Sequence, residues 1–186
     1  MTVMTLASEP YTVGDLEAMP DDGRRYELVD GALLVSPAPG WPHQEVAYTL
    51  YGLLRAACPR DLRVLGAPFA VRPDKFNEYQ PDVLVARYRD LTLDDLPTAP
   101  VLAVEVISPS SGIRDATLKK AVYERLGVPS YWLVRPDRTE PALTVFELDG
   151  SAYHQVAHVV GDVPFEAQQP FPVRVVPADL VAGLRP

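Results

Sequence analysis

VLAVEVISPSSGIRDATLKKAVYERLGVPSYWLV, residues 101–134, carries the pattern on which the fold turns. Val101 to Ile107 is a short apolar run of the kind that forms a strand buried on both faces of a sheet. Asp115 to Leu126 reads as a helix stopped by Gly127 and Pro129, and Tyr131-Trp132-Leu133-Val134 is a second buried strand. Strand, helix and strand in succession specify an α/β arrangement with these strands near its centre. Upstream, Val83 to Ala86 is another short apolar run and Arg63 to Val71 a further strand. Before them, Val46, Leu50, Leu53, Leu54 and Ala57 recur at helical spacing between His43 and Cys58. Arg25–Val29 and Ala32–Val35 flank Asp30-Gly31, a strong hairpin signal, and Thr12 caps a short helix ending near Met19. Downstream, Ala142–Leu148 and Tyr153–His158 flank Asp149-Gly150 as a second hairpin, followed by a strand at Val173–Val176 and a helical turn at Ala178–Ala182. The predicted class is α/β: a mixed central sheet flanked by helices, with added antiparallel hairpins.

A chain of 186 residues with 47% hydrophobic content is sufficient for one sizeable core, so a single domain spanning 1–186 is expected. The twenty prolines punctuate many short elements rather than a repeat or an all-helical bundle. No stretch approaches the roughly eighteen apolar residues of a membrane span, and the N-terminus lacks a basic segment followed by an apolar run. The expectation is a soluble, cytoplasmic protein without a membrane partner. Cys58 is the sole cysteine, which excludes an intrachain disulfide and a thiolate zinc cluster. It reads as a small buried apolar residue. The net charge of −8, from 25 acidic and 17 basic residues, argues against strong non-specific binding of nucleic acid. It is compatible with clustered carboxylates around a divalent cation.

Two carboxylates stand where apolar residues would be ordinary. Asp82 follows Pro81 at the head of the Val83 strand, and Glu105 lies inside Leu102-Ala103-Val104-Glu105-Val106-Ile107. An ionised Glu in a buried strand demands a paired cation, a bound metal or a raised pKa. Neighbouring strands would bring Asp82 and Glu105 within a few ångströms, where Mg²⁺ or Mn²⁺ relieves their repulsion. The helix after Glu105 supplies a positive charge: Lys119 and Tyr123 share a face at i, i+4 spacing, while Leu118 and Val122 face the sheet. A lysine beside the carboxylates would orient or deprotonate water, or stabilise a phosphorane-like transition state.

The ordered set Tyr26-Glu27-Leu28-Val29-Asp30-Gly31, Ser36-Pro37-Ala38-Pro39, His43, Pro81-Asp82, Glu105 to Ser110, Asp115, Lys119, Tyr123 and Gly127 to Val134 resembles the Uma2 family of bacterial restriction-endonuclease-like domains. The match runs from about Tyr11 to Asp137, and its strength lies in the order of many separately weak motifs. The resemblance implies the PD-(D/E)XK core and a metal-dependent endonuclease acting on nucleic acid, DNA above all. It assigns Asp82 and Glu105 as the two catalytic carboxylates, with the Val106 main-chain carbonyl as a further metal ligand. The superfamily pattern places lysine two residues after the second carboxylate, where this chain has Ile107, so that role falls to Lys119. Glu27 takes a supporting place at the same site. Nucleases of this type often cut two strands as dimers, so a homodimer is a further expectation.

Each assignment has a structural alternative. Against the site reading, Asp82 has the alternative of a turn residue, Lys119 that of an exposed helix lysine with Lys120 as its rival, and Glu27 that of partner to Arg24 or Arg25 in a surface ion pair. His43 either positions substrate or caps its helix, Asp115 reads as an N-cap, and Tyr131 and Trp132 read as core. Arg72, Arg87, Arg89 and Arg114 read as solvated surface. The competing function is a non-catalytic nucleic-acid- or protein-binding module in which Lys119 neutralises the carboxylates.

Overall fold

The computed structural model describes residues 3–5, 9–107 and 112–184, without the side chains of 112–116. In chain order these form β1 (Val3–Thr5), α1 (Val13–Glu17), β2 (Arg24–Val29), β3 (Ala32–Pro37), α2 (Trp41–Ala57), β4 (Leu62–Gly66), β5 (Ala70–Asp74) and β6 (Asn77–Tyr79). They continue as β7 (Val83–Arg87), β8 (Asp95–Leu96), β9 (Leu102–Val106), α3 (Gly112–Leu126), β10 (Ser130–Arg135), β11 (Ala142–Asp149) and β12 (Ala152–Val160). The last are β13 (Phe165–Ala167), β14 (Val173–Val175) and α4 (Pro177–Leu180).

One six-stranded sheet has the order β12-β11-β10-β9-β7-β4, and its β9–β10 pair is parallel, joined through α3. Its other pairs are antiparallel, so the sheet is mixed as expected. Alternation along the strands gives it two buried faces. Val83, Val85, Leu102, Val104, Trp132 and Val134 lie in the cluster that holds Val46, Leu50 and Leu54 of α2. Leu84, Ala86, Ala103 and Tyr131 lie instead with Val122 and Tyr123 of α3 and with Val29, Val71 and Tyr79. The last three come from a second six-stranded sheet, β1-β3-β2-β6-β5-β8, which therefore covers the face that α3 also covers. Each fully buried Leu or Val in these layers contributes about 1.5–3 kcal/mol.

The first hairpin forms between β2 and β3 around Asp30 and Gly31, whose φ values of 52° and 74° are the left-handed pair that a two-residue turn requires. The second joins β11 and β12. Helix α2 begins at Trp41, with Pro42 in its first turn, two residues before the predicted start. One prediction fails: Arg63–Val71 is two strands in different sheets, β4 ending at Gly66 and β5 starting at Ala70. Pro68 lies between them, lacks the N–H a continuous strand would pair, and falls in the turn that carries the chain from one sheet to the other. The strands β1, β6, β8 and β13, of two or three residues each, were not anticipated because they are too short for a periodic signal. Ser108-Pro109-Ser110 and the side chains of Arg114 and Asp115 lie outside the described residues.

Candidate functional site

The charged residues converge where the two sheets and α3 meet. Val83 pairs with Val104 across β7 and β9, so the residues just beyond that pair are Asp82, immediately before β7, and Glu105 in β9. The Val106 N–H donates to Asp82 Oδ2 at 2.8 Å, whereas the Ile107 N–H turns the other way, to Val134. Within a strand a residue's N–H and C=O point to the same side, so the Val106 carbonyl also faces the Asp82 edge.

Asp82 is buried and held from three directions. Arg25 Nη1 donates to its Oδ1 at 3.1 Å, His43 Nε2 lies 3.0 Å from its Oδ2, and the Val106 amide completes the set. Burial alone would raise this carboxyl, but the hydrogen bond and charge of His43, joined by Arg25 and Lys119, hold it at about 2. Glu105 has the opposite balance. Burial pushes it up to about 7; the Lys119 ammonium works against that shift and the charges of Asp82 and Glu27 work with it. Tyr123 Oη donates to Glu105 Oε1 at 2.6 Å.

Lys119 Nζ sits 3.0 Å from Glu105 Oε1 and 3.0 Å from Glu27 Oε1. Burial opposes its charge, yet the two carboxylates overcome that and hold the ammonium protonated beyond the usual lysine range. Lys120 instead lies 4.3 Å over the Phe146 ring. The choice between the two lysines follows from helical spacing, since Lys119 shares a face with buried Tyr123. Glu27 is 2% exposed and also accepts from the Gln80 N–H at 2.8 Å, so it is no surface partner of Arg24 or Arg25. Those arginines pair with Asp22 and Asp82 respectively.

The structure thus brings together Glu27, Asp82, Glu105, Val106 and Lys119, and adds Arg25, His43, Gln80 and Tyr123. Arg25 was missed in sequence as a site residue, although Arg25 and Glu27 alternate on one strand and so share a face. A second acidic group, Glu78, is buried beside this centre with Arg72 at 2.7 Å and Gln80 Nε2 at 3.1 Å. Arg87 and Arg89 pair loosely with Asp90 at 3.8 and 3.6 Å. Tyr131 and Trp132 are fully buried in the two core faces, as expected. Cys58 is only partly buried, at the end of α2.

Two carboxylates and a main-chain carbonyl form a hard-oxygen set suited in kind to Mg²⁺ or Mn²⁺. Among the described residues, no three His, Cys, Asp or Glu side chains gather into a metal-holding group, so a cation here would depend on the Val106 carbonyl and water. No helix among those residues is long and apolar enough to cross a membrane.

A solved structure from Anabaena variabilis ATCC 29413, described as "a putative nuclease belonging to DUF820", superposes with a TM-score of 0.70 at 18% identity, over 95% of this chain and 100% of that chain. That likeness is one of fold, and it supports the mixed α/β nuclease architecture. No curated protein matches the chain. The family model described as "Putative restriction endonuclease", Uma2, matches residues 13–179, including every charged residue of the centre, and the chain belongs to that family.

Proposed function

We propose that this protein is a divalent-metal-dependent nuclease that hydrolyses phosphodiester bonds, with DNA as its first substrate. The observation that carries the reading is Asp82 bonded to the Val106 amide next to Glu105, with one buried ammonium on Glu105 and the Val106 carbonyl on the Asp82 side. Asp82, Glu105 and Val106 would hold Mg²⁺ or Mn²⁺, and the cation would supply Lewis acidity toward water and a phosphate oxygen. The remaining roles belong to the protein. Lys119, held toward its charged form by Glu105 and Glu27, orients water and stabilises negative charge on the transferring phosphoryl group. Glu27 fixes Lys119, Tyr123 fixes Glu105, and His43 with Arg25 fixes Asp82. Cytoplasmic action as a homodimer is the corresponding proposal for its setting, and a monomer mass by light scattering would remove the dimer from it.

A second reading is favoured by one observation: Asp82 is already met by Arg25, His43 and an amide, and both glutamates by Lys119. In that reading the centre is an ion-pair network in a non-catalytic module. Incubating DNA with wild type and Glu105→Ala, in Mg²⁺, Mn²⁺ or chelator, separates the two. Cleavage that needs metal and disappears in the variant supports hydrolysis. Equal inertness, with no metal-induced rise in Tm, leaves the module.

A further inference from the structure

Three depressions adjoin one another around Asp82. The central one is lined by Asp82, Arg25, His43, Tyr48 and Pro68. A second shares Arg25 and Pro68 with it and continues past Arg24, Tyr26 and Arg72. A third shares His43 and continues past Pro42, Ile107 and Arg135. Their volumes of 270, 290 and 690 Å³ are of the order of small-ligand sites, which run to about 300–1,000 Å³. Through these shared residues they form a track with the carboxylate at its middle.

The chemistry of the walls restricts what lies in the track. A duplex is held chiefly by cations facing both backbones, and this chain carries a net charge of −8. Of the five arginines along the track, four have carboxylate partners: Arg24 with Asp22, Arg25 with Asp82, Arg72 with Glu78 and Arg135 with Glu140, while Arg138 also lines the third depression. Phosphate neutralisation is therefore weak, and affinity must come from the bases. Tyr48 lines the central depression and is 62% exposed. Trp41, 60% exposed, lies seven residues earlier on α2, close to two helical turns, so the two rings share a face about 10 Å apart along the axis. Gly40 and Pro42, on either side of Trp41, line the third depression. Solvent-facing aromatic rings beside a cleft stack on unpaired bases, which a duplex does not present. Ile107 and Pro42 give the third depression an apolar wall suited to the same π-faces.

Resting on the nuclease reading above, we propose that its substrate is a single-stranded polynucleotide segment that runs along this track and stacks a base on Tyr48. Ribose and deoxyribose strands share that chemistry. The test is fluorescence anisotropy with labelled DNA and RNA 12-mers and a blunt DNA duplex, in chelator so that nothing is cut, followed by metal addition and product analysis. Expected are binding of a single strand at least ten-fold tighter than the duplex, and an approximately ten-fold loss in Tyr48→Ala. Tyr48→Phe should retain the affinity because it keeps the ring. Tyr88→Ala, which removes an exposed tyrosine away from the track, should bind as wild type. With one or two phosphates neutralised, binding should fall less than about ten-fold between 50 and 200 mM salt.

Equal or tighter duplex binding, or an unchanged Tyr48→Ala, overturns the single-strand proposal. Metal-dependent cutting confined to duplex overturns it while leaving the nuclease reading intact. Tight single-strand binding without cutting in either metal supports the track and sinks hydrolysis. The relative affinities of the two 12-mers decide which sugar the track takes.

Discussion

Replacing Lys119 by methionine keeps an unbranched side chain one atom shorter and removes its charge. In the wild type the ammonium lies 3.0 Å from Glu27 and 3.0 Å from Glu105 and is only 11% exposed. Breaking a buried ion pair by removing one partner costs about 3–5 kcal/mol, because the other charge is stranded. In a chain of this size each kcal/mol shifts Tm by roughly 2–4 °C, so the expected fall at pH 8 is about 6–20 °C. The loss should depend on pH in a defined direction. Glu105, pushed up to about 7 by burial, binds a proton more readily folded than unfolded. That contribution is fully present below the ordinary glutamate pKa of 4.5 and is lost as pH rises through 7. Without Lys119 the carboxyl moves further upward, so protonation relieves the stranded charge at pH 5 and the deficit contracts. Thermal melts followed by circular dichroism at pH 5 and pH 8 measure both quantities. A Tm within 2 °C of wild type at pH 8, or a deficit of equal size at both pH values, would refute the electrostatic account of the centre.

Tyr123→Phe removes the phenol that donates to Glu105 at 2.6 Å, and it should cost about 1.5–3 kcal/mol, read from urea midpoints at pH 8, with a smaller loss at pH 5. Asp82→Asn should abolish any rise in Tm produced by 5 mM Mg²⁺ or Mn²⁺; a shift that persists in this variant places the cation elsewhere. Gly31→Ala forces a left-handed residue with φ of 74° to carry a Cβ that would lie 2.5 Å from Pro10 Cβ, so chemical denaturation should show a loss of at least about 1 kcal/mol. Leu54→Ala, at a fully buried position under the sheet, should cost about 2–5 kcal/mol in the same assay.

Sequence was most informative where burial and chemistry conflict. Glu105 stands inside an apolar run, and the structure places it in β9, five residues buried throughout. The two Asp-Gly turns and the helical stripe of α2 were legible because local backbone sterics and a 3.6-residue period act within a few residues. What escaped depends on long-range docking. Whether Arg63–Val71 stays in one sheet is decided by Pro68 and by the second sheet that receives β5, and neither leaves a periodic mark. Arg25 gave no sign of meeting Asp82, which lies 57 residues away in sequence. Glu27 had its plausible cations next door in sequence, yet the one that reaches it comes from α3. The choice between Lys119 and Lys120 stayed open in the sequence, and the contacts of Lys119 with Glu27 and Glu105 decide it.

The hydrogen bond between Lys119 and Glu27 spans 92 residues. Loop closure over that length becomes favourable only after the intervening strands have paired, so the charge cluster is a late event in folding. During synthesis the first hairpin and α2 are complete long before Lys119 leaves the ribosome. A nascent chain halted before α3 would carry Glu27, Asp82 and Glu105 without the lysine that the two glutamates share and without Tyr123. The centre is therefore unassembled in every truncated product short of α3, and interrupted translation would release no partly working copy. Timing of this kind follows from chain order alone: the residues that must meet are drawn from both sides of a fold that closes last where they touch.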